Sequence, residues 1–173
     1  LVGSEMCIRD RYSGGPTPFG YEIDKTPYGS YLKLVDGKTI SYIFNSFLKG
    51  KSANDLGREL KMTSKGIKLI LRNPLYMKSS QLGNEYLSNI GYEVISYEDR
   101  LGNGYLTYGK RGNSSSAKIA VISKHEAVIS DSDWIQVQAR LKKYDGHRAP
   151  RISNKTWLAQ MVKCTHCNLS LIH

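Results

Sequence analysis

Residues 52–74 have the sequence SANDLGRELKMTSKGIKLILRNP, which contains start and stop signals for two short helices. The first helix would start at Ser52, a good N-cap residue, with Asp55 three residues later. The second would start near Thr63-Ser64 and end before Asn73-Pro74, because the residue before a proline avoids the α region. Two short helices joined by about two or three residues predict a helix-turn-helix arrangement.

The second helix has one apolar and one basic face. At about 100° per residue, Ile70 and Leu71 lie within roughly 60° of Ile67, which predicts a buried stripe. Three cations fall at roughly 100° to 160° from Ile67, and long donors on the side away from the core suit a DNA major groove. With two cations of the preceding helix and connection, the candidate DNA-binding residues are Arg58, Lys61, Lys65, Lys68 and Arg72. An ordinary basic surface helix is the alternative.

A longer amphipathic helix precedes this pair. Its apolar residues recur at helical spacing, and Gly50 is placed to end it. They are Ile40, Ile43, Phe44, Phe47 and Leu48. Before it, residues 28–35 alternate loosely and stop at Asp36-Gly37, which predicts a short strand or hairpin arm. Residues 14–21 contain two prolines and predict an extended linker into the domain.

Beyond residue 76 the pattern changes toward strands. Residues 85–97 and 118–123 contain β-branched and aromatic residues, separated by glycine-rich and polar stretches, so we expect short strands and a loop there. The tyrosines of this region could stack on bases, but packing in a half-buried sheet is the commoner role. A further helix is predicted from near Ser130 to about Tyr144.

A basic segment, residues 146–155, follows that helix without apolar periodicity. Such a segment can follow a phosphate backbone or link two domains. We include Arg148, Arg151 and Lys155 among the candidate DNA-binding residues. Together these patterns predict an α+β fold: a small helical domain with a helix-turn-helix-like core, then short strands and a helix.

The net charge of +10 is concentrated in two stretches. Residues 49–72 hold seven cations and two acids, residues 140–155 hold six cations and one acid, and the sequence between them is close to neutral. Two basic stretches suit a polyanion held at two places, since each phosphate neutralised releases counterions. A well-solvated surface is the alternative interpretation. Neither a membrane span nor a secretory signal is indicated, so we expect a cytoplasmic protein.

Cys164 and Cys167 form a Cys-x-x-Cys pair near the end of the chain. Two thiolates at this spacing can bind one tetrahedral zinc ion, which needs four ligands. A redox dithiol is the alternative, and three cysteines are too few for a disulfide framework. We expect half of a zinc site here and therefore weak zinc binding by this chain alone.

Both ends of the chain look foreign to the fold. Residues 1–11 show no helical or strand periodicity, and they resemble translated sequencing-adapter text, as do residues 169–173. We expect both segments to be artefacts, and we exclude them from the fold as one would exclude a fusion scar. A genuine but irregular N-terminal arm is the alternative for residues 1–11.

Several motifs, in order, resemble the C-terminal region of large serine recombinases. The first is GGPTPFGY at residues 14–21, and the second is ILRNPLY at residues 70–76. The third is HEAVIS at residues 125–130, followed by Val137-Gln138, and the last is the first zinc-ribbon knuckle at residues 158–167. Glu126 stands where the family usually has proline, and Asn168 stands where a glycine usually follows the second cysteine.

The resemblance implies a recombinase domain over residues 12–110 and a partial zinc-ribbon domain over residues 111–168. It also implies Zn²⁺ in the intact protein, with Cys164 and Cys167 as two of the four ligands. Double-stranded DNA at an attachment or resolution site would be the partner, bound by a homodimer and brought together in a tetramer at synapsis. The family's nucleophilic serine belongs to a domain expected before Gly14, so no catalytic residue is assigned and this chain is not expected to recombine DNA alone.

Two other functions fit parts of the sequence. One is a helix-turn-helix transcriptional regulator with an accessory zinc ribbon, which binds DNA without cutting it. The other is an RNA-binding factor that uses the tyrosine-rich strands.

Overall fold

The computed structural model of the chain describes residues 11–12, 14–95, 101–109, 118–145 and 165. Helices and small sheets are both present, which confirms the predicted α+β class. The elements are β1 (Tyr21–Thr26), β2 (Gly29–Leu34), α1 (Gly37–Leu48), α2 (Ala53–Glu59), α3 (Ser64–Arg72), a 3-10 turn (Pro74–Tyr76), α4 (Gln81–Asn89), β3 (Tyr92–Ile95), β4 (Asn103–Tyr108), β5 (Lys118–Glu126) and α5 (Asp131–Asp145). The chain divides into two compact units after Arg140, and the features below belong to the first. Within the described ranges, no helix combines the length and apolar content needed to cross a bilayer.

β1 and β2 form an antiparallel hairpin in which Tyr21 pairs with Leu34 and Thr26 with Gly29. The arm predicted near residues 28–35 is therefore the second strand of a hairpin. Its first strand begins at Tyr21, immediately after the proline-containing stretch. The Tyr21 side chain is buried and donates from its hydroxyl to the Glu126 carbonyl oxygen over 2.6 Å, so the hairpin is fastened to the end of β5.

α1 has the amphipathic pattern that the sequence predicts. The Asp36 carboxylate caps its N-terminus by accepting a hydrogen bond from the Thr39 amide over 3.0 Å. Its inner side consists of fully buried apolar residues, namely Ile40, Ile43, Phe44 and Phe47. Gly50 has φ of +116° just after the helix ends, a conformation that glycine adopts without steric cost.

The predicted helix-turn-helix pair is present as α2 and α3. Ser52 and Thr63 are the N-caps: their hydroxyls accept hydrogen bonds from the amides of Asp55 (3.2 Å) and Gly66 (3.1 Å). α3 ends at Arg72, one residue before Asn73-Pro74, as the proline requires. The caps that the sequence predicts thus set the limits of both helices.

Residues 81–89, in contrast, are helical where the sequence predicted a strand from residue 85 onward. The strand prediction was wrong for residues 85–89, and only β3, Tyr92–Ile95, remains of it. Ser80 explains the helix, because its hydroxyl accepts from the Gly83 amide over 2.9 Å and donates to the Asp131 carboxylate over 2.6 Å. Leu87 is fully buried on the inner side of α4.

The three-stranded sheet has the order β3-β5-β4, with β5 parallel to β3 and antiparallel to β4. Most of β5 is buried: Ala120, Val121 and Ile122 are fully shielded from solvent. The domain boundary predicted between residues 110 and 111 falls inside this sheet. β5 lies beyond that boundary in sequence, yet it pairs with strands from before it.

Candidate nucleic-acid interface

The inner side of α3 consists of the three apolar residues that the sequence assigns to it. Ile67, Ile70 and Leu71 are all buried. The carboxyl end of the helix is held from behind by α5, because Gln138 donates through Nε2 to the Leu71 carbonyl oxygen over 2.7 Å. Trp134 similarly donates through Nε1 to the Asn73 carbonyl oxygen over 3.2 Å. The orientation of α3 is therefore fixed by both apolar packing and hydrogen bonds.

The outer side of α3 carries Lys65, Leu69 and Arg72, all of them exposed, at positions i, i+4 and i+7. We call these three residues the outer stripe. At 100° per residue they lie at roughly 140° to 200° from Ile67, directly opposite the buried residues. Lys68 is only partly exposed, because its position at roughly 100° puts it on the flank of the helix.

Arg58 and Lys61 lie at the end of α2 and in the connection to α3. The Arg58 side chain is 83% exposed, and its guanidinium is 3.7 Å from the Asp55 carboxylate, a long and weak ion pair. Lys61 is exposed and has φ of 53°, the left-handed conformation that turns the chain from α2 into α3. The five cations predicted from this part of the sequence thus share one helix pair. Lys68 is less exposed than the other four.

A polar cluster joins α1 to α2 beside this helix pair. Lys51 donates to the Glu59 carboxylate over 2.6 Å and to the Tyr42 hydroxyl over 2.9 Å, and that hydroxyl donates to Glu59 over 2.7 Å. The hydrogen bond with Glu59 raises the pKa of Lys51, and the same bond lowers the pKa of Glu59. Both groups therefore remain ionised at neutral pH, and their exposed ion pair links the start of α2 to its end.

Arg140, a cation counted in the second basic stretch, has a structural role. Its guanidinium donates to the Leu48 carbonyl oxygen over 3.1 Å and lies 5.1 Å from the centroid of the Phe47 ring. A cation at this place satisfies a carbonyl at the carboxyl end of α1 and interacts favourably with the helix dipole.

A buried histidine lies behind α3, where β5 meets the 3-10 turn. His125 is 2% exposed, and its Nε2 is 2.9 Å from the Leu75 carbonyl oxygen, so this nitrogen carries the proton. Its ring lies nearly perpendicular to the Tyr21 ring, with 5.5 Å between the ring centroids. Burial lowers the pKa of His125 to about 4, so the side chain is neutral at physiological pH.

The remaining candidate residues lie outside the described residues: Arg148, Arg151, Lys155, Cys164 and Cys167. Where the structure describes the chain, no group of three or more His, Cys, Asp or Glu side chains could hold a metal ion. Of the tyrosines considered for stacking, Tyr105 is fully buried and donates to the Asn84 side chain over 2.6 Å. Tyr86 meets the Trp134 ring edge-on, with 5.8 Å between the ring centroids.

The family model of Recombinase matches residues 35–144, which is more than half of the chain and runs from the start of α1 into the end of α5. The chain belongs to the Recombinase family. The match includes the helix-turn-helix pair and all three strands of the β3-β5-β4 sheet. None of the curated proteins matches this family member.

Two solved structures are similar to this Recombinase-family chain. One is described as the crystal structure of an LSR-DNA complex. Its TM-score is 0.54 and its sequence identity is 19%, and the match covers 98% of this chain and 50% of that chain. The other is described as "Sequence Requirements of the Listeria innocua prophage attP site". Its TM-score is 0.49 and its sequence identity is 17%, and the match covers 99% of this chain and 62% of that chain. The first indicates a shared fold, and this chain spans half of its length.

Leu69 is the residue of the outer stripe that the sequence analysis did not select. It is 62% exposed, although it is a large apolar side chain on the helix that presents the cations. A pattern of hydrogen-bond donors selects only the cations of a basic face and gives an apolar residue there no role. Its angle, roughly 200° from Ile67, was the available signal.

Proposed function

We propose that this chain is the duplex-DNA-binding part of a large serine recombinase, and that α3 enters the major groove. The outer stripe carries the proposal: two exposed cations flank the solvent side of a helix whose opposite side is buried in the core. An α-helix with this division fits a major groove, where long donors reach base edges and phosphates. Arg58 at the end of α2 and Lys61 in the connection to α3 are further exposed cations of this helix pair.

The salt dependence of binding tests this proposal. The chain should bind duplex DNA with an affinity that falls steeply as salt rises, because bound cations release counterions from the phosphates. Replacing both outer cations, Lys65→Ala with Arg72→Ala, should weaken binding. If both contact phosphates, the slope of log K against log salt should become shallower by about 2.

A matched control removes the same charge elsewhere. Lys33 in β2 and Lys118 in β5 are both exposed and lie outside the helix pair. The Lys33→Ala, Lys118→Ala variant should keep the salt slope within the error of the parent chain. Equal slopes for the two double variants would mean that binding is diffuse electrostatics, and the assignment of α3 would be wrong.

We propose that the intact protein binds DNA as a homodimer, forms a tetramer at synapsis and exchanges strands through a serine nucleophile. No serine is assigned that role in this chain, so no covalent protein–DNA adduct is expected from it.

Zn²⁺ is proposed to bind Cys164 and Cys167 with two further ligands, because paired thiolates are zinc's usual partners in a ribbon. Zinc measured by elemental analysis in a longer protein, but lost on Cys164→Ser, would support this. The cytoplasm is the proposed location, since that is where a prokaryotic host keeps its DNA.

A further inference from the structure

Leu69 is a large apolar side chain between two cations on the most exposed line of α3. Lys65 lies one turn before it and Arg72 lies just under one turn after it. Other exposed apolar residues of the described chain, such as Leu82 in α4 and Leu101 in a turn, do not lie on the helix that presents these cations, and exposed apolar residues are ordinary on a protein surface. Leu69 differs because it occupies the centre of the outer stripe.

The geometry points to a thymine methyl group as the contact of Leu69. We propose that Leu69 packs on the C5-methyl group of a thymine in the major groove and so makes this helix select a thymine at one position. The inference rests on the proposed function, since it requires α3 to lie in that groove. The C5-methyl of thymine is the apolar group that B-DNA exposes there, and apolar side chains contact it.

The spacing along the helix agrees with this assignment. Lys65 and Arg72 are seven residues apart, or about 10 Å along the axis at 1.5 Å per residue, which corresponds to about three base pairs at 3.4 Å each. The two cations can therefore reach phosphates or guanine edges on either side of the base pair that Leu69 contacts. A charged or polar residue at the centre of the outer stripe would recognise a hydrogen-bond donor or acceptor on a base edge. Leucine can recognise only the shape of the base edge and the presence of a methyl group.

Replacing thymine by deoxyuridine tests the contact because it removes only the methyl group. Duplexes selected by the 173-residue chain from a random library would be resynthesised with each thymine changed in turn to deoxyuridine. One or two positions should lose about threefold to fivefold in affinity, the value of one buried methyl group. For Leu69→Ala the same substitutions should change nothing.

Two further variants separate this contact from general effects. Leu69→Met keeps a large apolar side chain and should keep at least part of the thymine preference, and Leu69→Ala should fold normally because the position is exposed and alanine favours helices. A chain that binds duplex DNA but tolerates deoxyuridine everywhere would overturn the inference alone. So would Leu69→Ala with the parent's thymine preference. A chain that binds no duplex DNA would overturn the proposed function, and this inference with it.

Discussion

At the scale of single residues, the burial of the α3 side chains follows from their angles around the helix axis. The angles can be predicted because a helix repeats every 3.6 residues whatever packs against it. Ile67, Ile70 and Leu71 are buried as the periodicity predicts. Lys68 marks the limit of such reasoning, since a residue on the flank is covered or exposed according to what packs beside it. Local periodicity does not identify what packs there.

His125 makes a residue-scale prediction about pH. Burial lowers its folded-state pKa to about 4, below the value near 6.5 expected in the unfolded chain. As pH falls, the unfolded chain binds the proton first. Stability from this group is therefore complete above about pH 6.5, is lost as pH falls toward 4, and declines no further below that. The loss should approach about 3 kcal/mol in total, at 1.4 kcal/mol per pK unit.

Urea denaturation between pH 7 and pH 4 would measure this loss. His125→Gln is the matched variant, because its amide can still donate to the Leu75 carbonyl oxygen but does not titrate in this range. The variant should show a much flatter stability profile over that window. A parent profile as flat as that of the variant would mean that His125 protonates without cost and is not effectively buried.

At the scale of elements, the α2–α3 turn depends on a glycine inside α2. A Cβ atom at Gly57 would lie 2.6 Å from the Met62 carbonyl oxygen, a backbone atom that cannot move aside alone. The Met62 amide also donates to the Gly57 carbonyl over 2.8 Å, which closes the turn. Gly57→Ala should therefore destabilise the fold by about 1–3 kcal/mol, although alanine is otherwise favoured in helices by about 1 kcal/mol.

The clash with the Met62 carbonyl lowers the stability of Gly57→Ala, whereas the helix propensity of alanine raises it. The sign of the measured change therefore decides between the two effects. Asn54→Ala, at an exposed position of the same helix, serves as the control and should be neutral or slightly stabilising. Urea midpoints of both variants would be compared with the parent chain. A stabilised Gly57→Ala variant would show that the turn can relax and that Gly57 does not set it.

Elements were predictable where caps and periodicity coincide, as at Ser52 and Thr63. The strand predicted from residue 85 failed because tyrosine, valine and isoleucine there favour strands, whereas the helix depends on the Ser80 cap and on burial of Leu87. The Ser80 hydroxyl is itself held by Asp131, 51 residues away. A contact of that range leaves no local pattern in the sequence.

At the scale of the whole molecule, pairing between distant strands decides what folds together. The family resemblance implies a domain boundary between residues 110 and 111, in a polar, glycine-containing stretch whose composition is typical of loops. Composition indicates where a loop lies but not whether the strands on its two sides pair. β5 is the central strand of its sheet, and β3 and β4 pair only with it among the described strands. The carbonyls of Leu71, Asn73 and Leu75 are also bonded by side chains of β5 and α5, namely Gln138, Trp134 and His125 respectively.

These contacts predict that residues 12–110 do not fold as a unit, whereas residues 12–145 do. The shorter chain would lack β5 and α5, leaving β3 and β4 without their shared partner. The carbonyls of Leu71, Asn73 and Leu75 would also lose the side chains that bond them. Circular dichroism on heating should show a cooperative transition for residues 12–145 and none for residues 12–110. The longer chain should also retain most of the parent's transition temperature, since it keeps every described helix and strand. A cooperative transition of the 12–110 chain near the parent's temperature would instead place the boundary at residue 110 and make β5 a strand added to an independently stable domain.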